Sequence, residues 1–190
     1  TKIIIDFDSS GSMNGTLIPL QSMKDTILKD RLLPLYNNDS EAYDANVTIQ
    51  SIADERTLNM LNMNGDTPEG NVIVLIFQDE ASPVYNDGTF DSSEARTAQY
   101  DTDITTFRSR LNSFPPNYYR GVVFAVEEAT GVNFKNFISA IQNGTGNYTG
   151  AFGLSDRTEI NYKYNILDAS TPQYYLDKIV EALTELGYIL

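Results

Sequence analysis

The chain has 190 residues with no cysteine and no histidine, and 26 acidic against 13 basic residues give it a net charge of -13 and a pI near 4.2. That inventory excludes disulfide frameworks, thiolate and imidazole metal sites, cysteine nucleophiles and Ser-His-Asp triads, leaving the oxygen chemistry of Asp, Glu, Ser, Thr, Asn and Tyr. The few cations are scattered and cannot neutralise a row of phosphates, so nucleic acid is excluded as a partner and divalent cations or cationic surfaces are favoured.

The chain opens on Ile3, Ile4, Ile5 and Phe7, an apolar run too short for a helix and rich in β-branched residues. Such a run predicts a strand buried on both faces, ending at Asp8. Leu17, Leu20, Met23, Ile27, Leu28 and Leu32 then recur at helical spacing and predict an amphipathic helix over 17–33, closed by Pro34. Val47, Ile49 and Ile52 predict a second strand and 57–63 a third, joined through Asp54, Glu55 and Arg56 as an antiparallel hairpin.

Residues 71–77 form the clearest central strand, apolar and β-branched, and run into Gln78, Asp79 and Glu80. The polar stretch 82–100 reads as a surface excursion, followed by a helix over 103–114 with Ile104, Phe107, Leu111 and Phe114 on one face and Pro115-Pro116 at its end. A strand over 119–126, a short helix over 134–141, a strand over 160–167 and a closing helix over 172–186 with Gly187 after it complete the chain. No repeat, low-complexity tract or boundary interrupts residues 1–190, so a single domain is expected.

Strands alternating with helices predict an α/β fold, doubly wound and Rossmann-like. The expected sheet has six mostly parallel strands, one antiparallel edge strand from the hairpin, and helices on both faces. Ligands of such sheets bind beyond the carboxyl ends of the strands, where Asp8, Asp79, Glu127 and Asp168 are expected to lie.

Asp8-Ser9-Ser10-Gly11-Ser12 follows the first strand. In a tight turn, alternate residues can direct one carboxylate and two hydroxyls to one point. Mg²⁺ is a hard cation that takes six oxygens and retains several waters, which suits that set; Mn²⁺ and Ca²⁺ also accept oxygen ligands.

On this motif the sequence resembles the von Willebrand factor type A domains, whose metal-ion-dependent adhesion site (MIDAS) has the pattern Asp-x-Ser-x-Ser. The expected order of elements, including the early hairpin, is similar to that family's over essentially the whole chain. The resemblance implies a Thr from the loop before the next central strand, supplied here by Thr67 in Gly65-Asp66-Thr67, and an Asp just after that strand, supplied by Asp79. Gln78-Asp79-Glu80 stands where the family usually has Thr-Asp-Gly, and only Pro68-Glu69-Gly70 separates Thr67 from the next strand, where the family has a helix.

By this resemblance Ser10 and Ser12 would ligate the metal directly, Thr67 directly or through water, and Asp8 and Asp79 mainly by orienting waters. A vacant position would take an Asp or Glu of a protein partner, and the function implied is metal-dependent adhesion or recognition without catalysis.

Two rival readings exist. Asp6-Phe7-Asp8 also resembles the first motif of the haloacid-dehalogenase superfamily, in which Asp6 would attack phosphorus and Asp8 would protonate the leaving group of a Mg²⁺-dependent phosphatase. A metal-free structural domain in a larger assembly or virion is the other. No apolar run approaches the ~20 residues of a membrane span, and no signal peptide is recognisable at the start. A soluble protein is expected, with the compartment left open between an extracellular setting and a surface or virion assembly.

Overall fold

The computed structural model describes residues 1–8, 21–52, 57–66, 69–78, 93–113, 119–124, 137–141, 158–163 and 172–189. Five strands form one sheet: β1 (Lys2–Asp8), β2 (Val47–Ile52), β3 (Val72–Phe77), β4 (Tyr119–Phe124) and β5 (Thr158–Lys163). Their order is β2-β1-β3-β4-β5, and every pairing is parallel. The fold is therefore α/β with a parallel sheet, as the strand and helix alternation predicts.

Alternation along the strands divides the core in two. Ile3, Ile5 and Phe7 of β1 join Ile73, Leu75 and Phe77 of β3 on one face, under helices α1 (Ile27–Leu32) and α5 (Pro172–Glu185). Ile4, Val72, Val74 and Ile76 face the opposite way, under α3 (Thr57–Leu61) and α4 (Ser93–Ser113). Both faces are covered, which is why the strands read as continuous apolar runs.

Three expectations are overturned. Among the described residues the sheet has five strands where six were predicted, and no antiparallel edge strand, because residues 57–61 form α3. Thr57, Leu58, Met60, Leu61 and Met63 are buried while Asn59 and Asn62 are less so. That spacing is helical, whereas a half-buried strand would alternate, and Leu and Met are good helix formers. Tertiary packing holds α3 down: the Tyr119 hydroxyl donates to the Leu61 carbonyl, and a Cβ at Gly121 would come within 3.0 Å of Leu61 Cδ2. Glycine at that point of β4 leaves the Leu61 side chain room to pack closely on the sheet.

The second correction is to the surface excursion, since residues 93–100 are the first two turns of the 21-residue α4. Ala, Glu, Gln and Arg there have good helix propensity, but the turns are largely exposed and carry no apolar stripe until Tyr100 and Ile104. Residues 82–92 of that stretch, like Glu127 and Asp168, lie outside the described residues.

The helix expected over 17–33 is interrupted. Residues 21–23 are helical, 24–26 form a turn, α1 follows, and Leu33–Tyr36 tightens into a 3-10 turn at Pro34; residues 17–20 lie outside the described residues. A further helix, α2 (Ser40–Asn46), was not anticipated. The Asp39 side chain caps it, accepting from the amides of Glu41 and Ala42 at 2.9 and 3.1 Å. Asp39→Ala is expected to cost about 1 kcal/mol; a lower urea midpoint at an unchanged m-value would report it.

At the chain's end Gly187, at φ +75°, closes α5 through Tyr188 N donating to the Leu183 carbonyl at 2.9 Å. No helix among the described residues is long and apolar enough to cross a membrane.

Candidate functional site at the carboxyl ends of β1 and β3

The chain leaves β1 to one side to make β2, then returns past β1 to make β3 on the other side. The crevice between β1 and β3 is thus the point where the winding reverses, and open α/β sheets bind their ligands there. β1 ends at Asp8, and β3 ends at Phe77 with Gln78 following. Phe7 pairs with Phe77 at the end of the β1–β3 ladder; Asp8 follows the one and Gln78 the other. Asp79 comes next in sequence.

Of the five predicted ligands, Asp8 is the last residue of β1, while Ser10, Ser12, Thr67 and Asp79 lie outside the described residues. Among the described residues no three acidic side chains converge on a point that could hold a metal ion. The residue before Thr67, Asp66, is exposed, and its charge is felt by Asp6 on β1.

Three buried polar side chains line this end of the sheet on the α3 side. Asp6 is wholly buried and neither carboxylate oxygen has a hydrogen bond of ordinary geometry. Burial raises its pKa from 3.8 to about 7; Gln50, its register partner on β2, lowers it in part, and Asp66 raises it further. Tyr119 feels the same carboxyl: burial pushes its phenol well above the ordinary range and Asp6 adds to the effect.

Gln78 is also fully buried. Its backbone N–H donates to the Phe124 carbonyl at 3.0 Å, and its side-chain oxygen accepts from the Thr57 hydroxyl at 2.7 Å, with Thr57 itself buried at the start of α3. Its amide nitrogen Nε2 has no partner.

The Gln78 amide nitrogen and the Asp6 carboxyl are thus both buried without a hydrogen bond of ordinary geometry near the carboxyl ends of β1 and β3. Asp8, Ser10, Ser12, Thr67 and Asp79 would supply only oxygen ligands, the chemistry Mg²⁺ requires. Sequence reasoning overlooked Thr57, which it assigned to a strand, and met Gln78 only as a departure from a family pattern. The available signal was an amide side chain directly after an all-apolar strand.

Comparison of the chain with protein-family models, with curated proteins and with solved structures finds no match.

Proposed function

We propose that this protein is a divalent-metal-dependent recognition or adhesion module without catalytic activity. In this reading Mg²⁺ is held by Ser10, Ser12 and Thr67, with Asp8 and Asp79 orienting its waters, and a partner's Asp or Glu completes its coordination. The observation that carries the reading is the position of Asp8 as the last residue of β1, at the point where the winding of the sheet reverses. A cation there would bridge two acidic surfaces that otherwise repel, in keeping with the net charge of -13. A fold of this kind hosts many functions, so the motif and its position bear the weight, not the architecture.

The depth of Asp6 favours recognition over phosphoryl transfer. A carboxylate that attacks phosphorus has to reach its substrate, and Asp6 is wholly buried beneath the sheet's α3 face.

Saturating Mg²⁺ or Mn²⁺ is expected to raise the melting temperature of the wild type, with about 2.7 kcal/mol of stabilisation at a hundred times the dissociation constant. The Ser10→Ala/Ser12→Ala variant should not respond. An equal response in both proteins would remove these serines from the site. Mg²⁺-dependent hydrolysis of phosphomonoesters abolished by Asp6→Asn would establish the phosphatase instead.

A further inference from the structure

We infer that residues 62–66 form a strained turn latched to α4 by Arg110, and that this turn opens as a local unit while α3 and the sheet stay folded. The inference is independent of the metal reading above.

α3 is five residues long, too short to hold its own ends in place, and the chain leaves it through a conformation that its residues disfavour. Met63, two positions past Leu61, stands at φ +55°, in the left-handed position on which helices usually close with glycine. A residue with a Cβ is strained there. The turn does contain a glycine, Gly65 at φ +90°, but it comes two positions later.

Tertiary contacts keep Met63 in that state. Its side chain is buried among the residues of the α3 face. The Arg110 guanidinium of α4 donates to the Asn62 backbone carbonyl and to the Asn62 side-chain Oδ1, each at 2.6 Å. The same carbonyl accepts from Gly65 N at 3.1 Å, and the Met63 carbonyl from Asp66 N at 3.0 Å, so the latch bears on an acceptor that also closes the turn.

The turn is held less firmly than the helix before it. Among its described side chains only that of Met63 is buried, and Gly65 and Asp66 are exposed. Lifting α3 would in addition withdraw Leu58, Met60 and Leu61 from the core and break the bonds from Thr57 to Gln78 and from Tyr119 to Leu61. Release of strain at Met63 favours opening of the turn alone, which makes it a hinge in the crossover from α3 to β3.

Native-state hydrogen exchange of the full chain tests the latch, with the Gly65 and Asp66 amides compared with those of β3 at several low urea concentrations. In the wild type the turn amides are expected to exchange faster than those of β3 and with little dependence on urea, the mark of a local opening. Arg110→Met keeps the stem and removes the donors, and should speed exchange of the turn amides about tenfold, the equivalent of one hydrogen bond from a charged donor. Asn62→Ala removes only the side-chain acceptor; it should speed them by a smaller factor and serves where Arg110→Met does not fold. Turn amides that share the rate and urea dependence of β3 would show that the turn opens only with the whole protein, and an unchanged rate in the variants would show that Arg110 is no latch; either result overturns the inference.

Discussion

Asp6→Asn is expected to stabilise the metal-free protein at pH 8 by roughly 2–4 kcal/mol and to change it little at pH 4. In the unfolded chain Asp6 ionises near 3.8, whereas in the fold it keeps its proton to about 7, first because it is buried and then because Asp66 is near. Between those values the folded state binds more protons than the unfolded one, so stability falls as pH rises and levels off above about 7. Asparagine has the shape of the neutral acid and carries no charge, so its stability should lose that slope. Denaturant melts at several pH values in chelator measure it. A variant no more stable than wild type at pH 8 would mean that Asp6 has a stabilising partner when ionised.

The second large effect concerns Phe77, the residue immediately before Gln78. It is wholly buried, stacks on Phe124 with ring centroids 4.5 Å apart and planes within 5°, and meets the Tyr175 ring edge-on at 5.6 Å. Phe77→Ala removes the joint between β3, β4 and α5 and leaves a cavity. A loss of about 3–5 kcal/mol is expected, read as a lower guanidinium midpoint. Tyr174→Ala, at a partly exposed neighbour of Tyr175, serves as the control and should cost far less. Equal losses in the two variants would show that the stack is not a principal part of the core.

Both effects arise at the carboxyl ends of β1 and β3, where the proposed function also resides. A sheet end that leaves Asp6 unpaired and the Gln78 amide half satisfied gives up stability that an apolar end would retain. Buried polar groups of this kind are commonly retained where a site needs them.

What the sequence determined by itself is the two central strands, β1 and β3, and where they end. Ile3 to Phe7 and Val72 to Phe77 are apolar at every position but Asp6, and a run buried on both faces needs no knowledge of its neighbours to be recognised. The motif from Asp8 to Ser12 is likewise read from side chains adjacent in sequence.

Tertiary structure alone decided the rest. Residues 57–61 could pass for a strand until Gly121 and Tyr119, some 60 positions away, were seen to seat them as a helix. The first two turns of α4 are polar because they are exposed, and only the continuous helix through Ile104 and Phe107 shows that they belong to it. The parallel order that brings the ends of β1 and β3 together, and the Thr57 hydroxyl that holds Gln78, join residues far apart in the chain. Periodicity registers which way a side chain faces within its own element; it carries no information about which element lies opposite, and that pairing is what sets the ends of β1 and β3 side by side.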